Sequence, residues 1–200
     1  MTQKGIIISA PSSASGKTTV TLGLLRALKR AGIPIRSAKS GPDYIDPRFH
    51  AAASGNECVN LDARAMSPDR IKSLATGDTP LIIEGAMGLF DGAPPNGGGS
   101  TTDLARILGL PVVLVLDVAS QAQSVAAVAL GFSQLSPDVK IAGIILNKVG
   151  SPRHDKMLRR ALDPLNIPVL GSLYRQADLQ TPSRHLGLIQ AQERDDLDGF

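Results

Sequence analysis

Short runs of apolar residues alternate along the chain with longer segments in which apolar residues recur at helical spacing. Most of the short runs are continuous rather than alternating in polarity, which is typical of parallel strands covered on both faces. The predicted strands are residues 5–9, 35–38, 81–84, 112–117, 141–147 and 169–173. This alternation predicts an α/β fold with a mostly parallel central sheet and helices on both faces.

Four of the intervening segments predict helices. The first begins at Lys17, and the second begins after Ser67 as its N-terminal cap. The third and fourth begin near residues 120 and 153. Residues 40–55 and 85–100 predict long loops that follow strands. Because ligands of open α/β sheets bind beyond the carboxyl ends of strands, these two loops are the candidate sites.

The composition narrows the class of protein. The chain has 200 residues, of which 42% are hydrophobic and 20% charged, so it is long enough for one large domain with its own core. The longest apolar stretch, residues 107–116, is too short to cross a bilayer, and the N-terminus does not match a secretory signal. We therefore expect a cytoplasmic protein with no membrane partner. For the one cysteine, Cys58, we expect a packing role.

The net charge of +3 is spread over scattered basic residues, and the chain has four Phe, two Tyr and no Trp. Because the sequence has no dense basic run and few aromatic residues for base stacking, nucleic acid is not an expected partner. A mildly basic chain, with a pI near 9.2, favours a small anionic ligand.

The connection from the first strand to the first helix carries a phosphate-binding pattern. Residues 10–19 read Ala-Pro-Ser-Ser-Ala-Ser-Gly-Lys-Thr-Thr, and small residues in this context let backbone N–H groups surround a phosphate at a helix N-terminus. Lys17 then reaches the terminal phosphates, and the Thr18 hydroxyl can bind Mg²⁺. The leading glycine of the usual pattern is replaced by Pro11 or Ala10, so the loop is a variant. The predicted nucleotide-binding residues of the loop are Ser13, Ala14, Ser15, Gly16, Lys17, Thr18 and Thr19.

Acidic residues come directly after two other predicted strands. Glu84 ends the third predicted strand, and Asp43 and Asp46 follow the second. Because a bound triphosphate needs acidic metal ligands at strand ends, Thr18, Asp43 and Glu84 form the predicted Mg²⁺ site. The alternative is that Asp43 only sets a turn and Glu84 only caps a helix. Asp91 precedes a glycine and is equally compatible with a turn.

The identity of the base is partly predictable. Guanine-specific phosphate-loop proteins usually present Asn-Lys-x-Asp, whereas residues 147–150 read Asn-Lys-Val-Gly without the aspartate. We therefore expect ATP rather than GTP, with Asn147 either contacting adenine or capping its strand.

Several blocks of the sequence together resemble one enzyme family. They are residues 10–24, 39–50, 84–92, 99–105, 146–151 and 182–188, and Gly-Pro-Asp-Tyr-Ile-Asp-Pro at 41–47 is much more specific than the phosphate loop. Over essentially its whole length the chain is similar to the cobyrinic or hydrogenobyrinic acid a,c-diamide synthases, which belong with dethiobiotin synthetase among P-loop NTPase-type enzymes. The resemblance implies a dethiobiotin synthetase-like fold. It also implies ATP- and Mg²⁺-dependent amidation of the a and c acetate side chains of a corrinoid, through an acyl phosphate, in cobalamin biosynthesis.

The resemblance further implies roles for individual residues. Asp43, Glu84 and Asp91 would serve metal binding or phosphoryl transfer, and residues 44–46 would face the substrate. Lys39 would add positive charge against ATP and the polycarboxylate substrate, although a solvated strand-end lysine is an equal alternative. The catalytic candidates are Lys17, Asp43, Asp46, Glu84 and Asp91, and the substrate-binding candidates are Lys39, Tyr44, Ile45 and Asp46. The residues that hold substrate carboxylates stay undecided among Arg48, His50, Arg153, His154, Arg184 and His185.

The family resembled carries a C-terminal glutaminase domain whose nucleophilic cysteine releases ammonia from glutamine. Cys58 lies upstream in a different context and is not that nucleophile. We therefore expect residues 1–189 to form the synthetase (amidoligase) domain and residues 190–200 to begin a linker, so that the chain alone uses free ammonia. Relatives pair their phosphate-loop domains, which suggests a homodimer.

Four alternatives stay open. The length also suits a dethiobiotin synthetase-type carboxylase, and a nickel-sirohydrochlorin diamide synthase shares the family pattern. An ATP-switched partitioning ATPase typically has an additional lysine early in the loop, where this chain has Ser12 and Ser13. An inactive nucleotide-binding fragment is the fourth alternative.

Overall fold

Seven parallel strands form the central sheet in residues 4–175, the part of the chain that the computed structural model describes. In chain order they are β1 (Gly5–Ser9), β2 (Arg36–Ser40), β3 (Cys58–Leu61), β4 (Leu81–Glu84), β5 (Val112–Asp117), β6 (Ile141–Val149) and β7 (Val169–Tyr174). Across the sheet their order is β3-β2-β4-β1-β5-β6-β7. The predicted α/β fold with a parallel sheet is confirmed.

Six α-helices lie within the same residues. They are α1 (Lys17–Arg30), α2 (Asp46–Ser54), α3 (Pro68–Ala75), α4 (Thr101–Leu108), α5 (Val125–Gln134) and α6 (Pro152–Leu162). Three of them begin at serine caps, because the hydroxyls of Ser67, Ser100 and Ser151 accept backbone N–H groups of the first turn. None of these described helices is long and apolar enough to cross a membrane.

Alternate residues of each central strand enter different hydrophobic cores, one on each face of the sheet. In β5, Leu114 and its neighbours two residues away pack in the core that holds α3, α4, α5 and α6. Val113 and Val115 point the other way and pack with Val20 and Leu25 of α1. The continuous apolar runs in the sequence are explained by this double coverage.

The prediction of a long loop over residues 40–55 is wrong, because α2 occupies most of it. This helix has Pro47 in its first turn and a sequence with only a weak apolar stripe, so the periodicity did not reveal it. The sequence pattern also missed β3, a strand of 4 residues, and α4, a helix of 8 residues. The third predicted helix begins at Val125 rather than near residue 120. Residues 85–100 do form a long connection between β4 and α4.

The strand order brings three strand ends to the loop that follows β1. β4 lies between β1 and β2, and its last residue, Glu84, pairs with Ile8 on one side and Lys39 on the other. Because parallel strands end at the same edge of a sheet, the segments that follow β1, β2 and β4 meet there. This edge carries the candidate site.

Leu114→Ala tests the central packing. Because Leu114 is 0% exposed in the middle of the sheet, we expect the free energy of unfolding to fall by about 2–5 kcal/mol. Leu135→Ala is the matched control, since Leu135 is 71% exposed and should change stability by at most about 0.5 kcal/mol. Urea denaturation followed by circular dichroism measures both, and equal effects would contradict the assigned core.

Candidate active site

A loop of small residues links β1 to α1 and turns sharply before the helix. Ala14 and Gly16 both adopt left-handed backbone conformations, with φ of 60° and 94°. Turns of this kind aim successive N–H groups into a concave site for an anion. Since α1 begins after a glycine, which has no side chain to accept the first-turn N–H groups, those groups suit a phosphate.

Asn147, near the end of β6, holds this loop from the side. Its Nδ2 donates to the carbonyl oxygen of Ser15 at 3.0 Å, and its Oδ1 accepts the N–H of Lys148 at 3.0 Å. A Cβ on Gly16 would lie 2.0 Å from this Nδ2. Position 16 therefore requires glycine both for its conformation and for space. The Asn147 amide is engaged with the loop, and its contact with adenine stays a prediction.

The other predicted loop residues follow the backbone around the turn. The Lys17 side chain is buried, and its Nζ donates to the carbonyl oxygen of Ser12 at 3.0 Å, so the lysine spans the loop. Ser13 and Ala14 are exposed at the tip of the loop, and Thr19 is half-buried in α1.

Glu84 is the centre of the site because three elements donate hydrogen bonds to its carboxylate. Oε1 accepts from the Thr18 hydroxyl at 2.6 Å and from Lys39 Nζ at 2.9 Å. Oε2 lies 2.7 Å from Nε2 of His50. The Glu84 side chain is only 1% exposed, so these donors take the place of water around its charge.

The start of α2 lies beside this cluster. Lys39 Nζ donates to Asp46 Oδ2 at 2.5 Å, and Asp43 Oδ2 is 3.9 Å away. The other oxygen of Asp43 accepts the N–H groups of Ile45 and Asp46 at 2.8 and 3.1 Å. Asp43 therefore sets the turn into α2 and also faces Lys39. Its role as a metal ligand stays a prediction.

Burial and charge act against each other at Glu84 and His50. Burial is the largest influence on Glu84 and raises the pKa of its carboxyl, but the hydrogen bond from His50 and the nearby charges of Lys39 and His50 lower it to about 2. Burial lowers the pKa of the His50 ring, and the hydrogen bonds to Cys58 and Glu84 raise it to about 9. These contacts favour an ionised Glu84 beside a protonated His50.

The two lysines of the site respond differently to burial. Burial lowers the pKa of Lys17. Burial also acts to lower the pKa of Lys39, but the charges of Glu84 and Asp46 outweigh burial, so the pKa of this lysine is raised. The pKa of Asp46 is raised, first by burial and then by the charge of Glu84. Lys39 is therefore held as a cation between two carboxylates, and the alternative of a solvated strand-end lysine is wrong.

The remaining predicted residues lie around this centre. Tyr44 is 73% exposed, and Ile45 is half-buried next to it. Asp91 is exposed, and its Oδ2 accepts the N–H of Gly88 at 2.8 Å, which is the turn interpretation. The negative charge of Asp91 nevertheless acts to raise the pKa of Lys17, against the larger effect of burial. The segment is tied to the phosphate loop, because the N–H of Leu89 donates to the carbonyl oxygen of Ala10 at 2.8 Å.

The sequence analysis placed His50 among the candidates for binding substrate carboxylates and expected only a packing role for Cys58, so it missed the contacts of both residues beside Glu84. His50 is 0% exposed and bonded to Glu84, so it does not face solvent to meet a substrate carboxylate. One feature of the sequence could have indicated its position: His50 follows Asp46 by four residues, a spacing that puts both side chains on one face of α2. Arg184, His185, the block at 182–188 and the boundary near residue 190 lie outside the described residues.

The site fits Mg²⁺ bound together with a nucleotide. Within residues 4–175, groups of three or more His, Cys, Asp or Glu side chains arranged for a metal ion are not found. Thr18 Oγ1 and Glu84 Oε1, 2.6 Å apart, instead supply one hydroxyl and one carboxylate. Mg²⁺ typically takes one or two protein oxygens and completes its shell with phosphates and water.

Comparison with known proteins supports this interpretation of the loop. The family model described as the CobQ/CobB/MinD/ParA nucleotide binding domain matches residues 6–189. The chain belongs to this family. Nucleotide binding is the property that the family description shares with the geometry of the loop.

Three curated relatives are more than 50% identical to this chain over the aligned residues. The hydrogenobyrinate a,c-diamide synthase of Brucella anthropi is 60% identical over 202 residues, which cover 98% of this chain and 46% of that protein. The proteins of the same name from Mesorhizobium japonicum and Rhodobacter capsulatus are 55% and 53% identical with the same coverage. The resemblance inferred from sequence blocks is confirmed. The chain spans about half the length of these relatives.

Solved structures of low identity share the fold of this family member. Chloroplast FtsY from Physcomitrella patens superposes with a TM-score of 0.61 at 19% identity, over 87% of this chain and 59% of that chain. The hydrogenase maturation factor HypB from Archaeoglobus fulgidus gives a TM-score of 0.53 at 16% identity, over 84% and 80%. At these identities the likeness concerns the fold alone, and it agrees with the predicted α/β class, whereas the nucleotide-binding family is shown by the family model.

Gly16→Ala tests the loop geometry. The added Cβ meets Asn147 and the residue must keep a positive φ, so we expect a loss of about 1–3 kcal/mol of stability and weaker nucleotide binding. Gly23→Ala is the matched control, because a Cβ there meets nothing within 4 Å and should stabilise α1 by about 0.5–1 kcal/mol. Denaturation and calorimetric titration with ATP measure both. Unchanged ATP affinity in Gly16→Ala would contradict the assignment.

The buried ion pair predicts a pH-dependent stability. The folded-state pKa of His50, about 9, is above its ordinary value of 6.5. The stabilisation is therefore fully present below about pH 6.5 and is lost as the pH rises through about 9. We expect the free energy of unfolding, measured by urea denaturation in magnesium-free buffer, to decline across this interval. His50→Gln removes the titrating ring and should flatten the decline, and a flat profile in the unmodified chain would refute this expectation.

Proposed function

We propose that this chain performs the ATP- and Mg²⁺-dependent amidation of the a and c acetate carboxylates of cobyrinic or hydrogenobyrinic acid, a step of cobalamin biosynthesis. One observation carries the proposal: a phosphate loop, a half-buried threonine bonded to a buried glutamate, and a second buried lysine meet at one sheet edge. The relatives with the same blocks of sequence are named hydrogenobyrinate a,c-diamide synthases. This name favours the cobalt-free acid as the first substrate to test.

A carboxylate must be activated before nitrogen can replace one of its oxygens. In the proposed reaction a substrate carboxylate oxygen bonds to the γ-phosphorus of ATP as the bond from that phosphorus to the β–γ bridging oxygen breaks, which releases ADP. Ammonia then adds to the carbonyl carbon of the acyl phosphate, loses a proton and displaces phosphate. Such chemistry requires positioning and charge stabilisation from the protein more than a protein nucleophile.

The ionisable groups near Glu84 carry both signs before any substrate is added. Lys17, Lys39 and protonated His50 oppose Asp43, Asp46 and Glu84, and Asp91 adds a further negative charge near Lys17. A triphosphate therefore adds negative charge that these groups do not neutralise. Mg²⁺ held by Thr18 and Glu84, with Asp43 as a further candidate ligand, would neutralise charge on the phosphates when bound.

The two lysines have separate proposed roles. Lys17 lies at the first turn of α1 and donates a hydrogen bond to the phosphate loop, so it would bind the terminal phosphates. Lys39 is fixed between Glu84 and Asp46, where its positive charge would guide the substrate carboxylate toward the phosphate being transferred. Tyr44 and Ile45 stand next to Asp46 with one exposed and one half-buried side chain. These two would contact the macrocycle that carries the carboxylate.

Residues 92–99 are proposed to shield the acyl phosphate from water. Ala93 and Gly98 form a bridge across this glycine-rich segment, with the N–H of Ala93 donating to the carbonyl oxygen of Gly98 at 2.9 Å. The segment follows Asp91, whose charge acts on Lys17, so it starts beside the phosphate loop. Excluding water favours attack by ammonia over hydrolysis.

Ammonia is proposed to come from a glutaminase domain in the complete enzyme. The similarity covers 46% of each relative, and residues 1–189 would then be the synthetase part, followed by a linker from residue 190. A cytoplasmic homodimer with paired phosphate-loop domains is proposed by analogy with the same family. These proposals extend beyond the described residues.

Mass spectrometry of hydrogenobyrinic and cobyrinic acid tests the function. With MgATP and an ammonium salt, we expect a monoamide and then a diamide, with one ADP released for each amide. With glutamine in place of ammonium, we expect the chain alone to give no amide. Lys17→Met should lower the rate at least about 100-fold, whereas Lys156→Met, at an exposed position of α6, should leave it unchanged.

Two results would contradict the proposal. ADP release without amide on either macrocycle would exclude this substrate class for the chain. Product from the dethiobiotin precursor or from nickel sirohydrochlorin, but from neither corrinoid, would assign the site to one of the alternative enzymes.

A further inference from the structure

His50 is a buried polar side chain that the proposed chemistry does not use. It lies in α2 and is 0% exposed, with Nε2 2.7 Å from Glu84 Oε2 and Nδ1 3.4 Å from Cys58 Sγ. The three residues come from α2, β4 and β3. Burying a polar ring of this kind costs free energy that an apolar residue of the same size would not. Packing alone therefore does not explain a histidine here.

The two oxygens of Glu84 have different surroundings. Oε1 faces the Thr18 hydroxyl and Lys39, on the side of the phosphate loop, and Oε2 faces His50. The terminal torsion of a glutamate side chain is broad. A donor fixed on Oε2 restricts this torsion, and Oε1 is then held at the position beside Thr18.

Cys58 contacts the His50 ring on the side away from Glu84 and so restricts the orientation of the ring. An ionised carboxylate only accepts hydrogen bonds, so the ring nitrogen that faces Glu84 must carry the proton. The opposite nitrogen faces the Cys58 thiol, whose sulfur can accept from a charged ring and whose S–H can donate to a neutral one. Cys58 is thus compatible with an N–H at Nε2 whether the His50 ring is charged or neutral. Such chains of supporting hydrogen bonds orient metal ligands in many proteins.

We propose that His50 is a positioning residue that fixes the Glu84 carboxylate for Mg²⁺ at the phosphate loop, and that Cys58 orients the His50 ring. The inference rests on the proposed function, because it takes Glu84 as a ligand of the nucleotide-bound cation. It assigns a role to two side chains that the proposed reaction steps do not involve.

Calorimetric titration with ADP, with and without Mg²⁺, tests the proposal. We expect His50→Leu to reduce the Mg²⁺-dependent gain in ADP affinity by about 10–100-fold and to leave the Mg²⁺-free affinity unchanged. His50→Gln is the matched variant, because its amide retains an N–H donor toward Glu84 and should restore most of the gain. Cys58→Ala should give a smaller loss, since it removes only the partner of Nδ1. Circular dichroism of each variant confirms that it is folded.

Nuclear magnetic resonance of the metal-free chain gives a second, independent readout. We expect the ring N–H of His50 at Nε2 to be observed and slow to exchange, because it is buried against a carboxylate, and to exchange faster in Glu84→Gln. This measurement does not depend on a folded His50→Leu variant.

The outcomes separate this proposal from the proposed function. An unchanged Mg²⁺-dependent gain in folded His50→Leu would overturn the positioning role alone, and so would a His50→Gln variant as impaired as His50→Leu. A rapidly exchanging ring N–H in the unmodified chain would overturn the hydrogen bond on which it rests. If the unmodified chain gains no ADP affinity from Mg²⁺, the assigned Mg²⁺ site and the positioning role are overturned, whereas the amidation itself stands or falls with the mass-spectrometric test.

Discussion

A buried carboxylate needs donors on every side, and that requirement organises the segments around Glu84. Removing an ionised group from water costs several kcal/mol unless nearby groups compensate it. Here the compensation comes from Thr18 in α1, Lys39 in β2 and His50 in α2. Because each donor belongs to a different element, the one charge fixes the mutual positions of the phosphate loop and the two segments that flank it.

The same arrangement gives the site a buried part and an exposed part. Lys39, His50 and Glu84 are buried, and both cations pair with Glu84, so the protein itself determines their orientations. Tyr44, Asp91 and the tip of the phosphate loop are exposed. A buried, preorganised cluster with exposed residues beside it is suited to the proposed reaction, in which a phosphoryl group meets a large macrocyclic substrate.

The sequence predicted best what depends on local pattern. The central strands are continuous apolar runs, and the phosphate loop has a recognisable order of small residues before Lys17. The α2 helix was not predicted because it is short and weakly amphipathic. The contacts among Lys39, His50 and Glu84 could not be predicted, because they depend on β4 lying between β1 and β2. Strand order is a property of the whole sheet, whereas the predicted ends of strands are properties of single segments.

The insertion of β4 between β1 and β2 also bears on how the site comes into existence during folding. Thr18 and Glu84 are separated by 66 positions in the chain, Lys39 and Glu84 by 45, and Ser15 and Asn147 by 132. Closing loops of this length has an entropic cost, and non-local pairings of this kind slow folding. A partly folded chain that contains only β1, α1 and β2 has the phosphate loop without the carboxylate beneath it and without the amide beside it. The loop therefore reaches its final geometry only when the sheet has been assembled on both sides of β1.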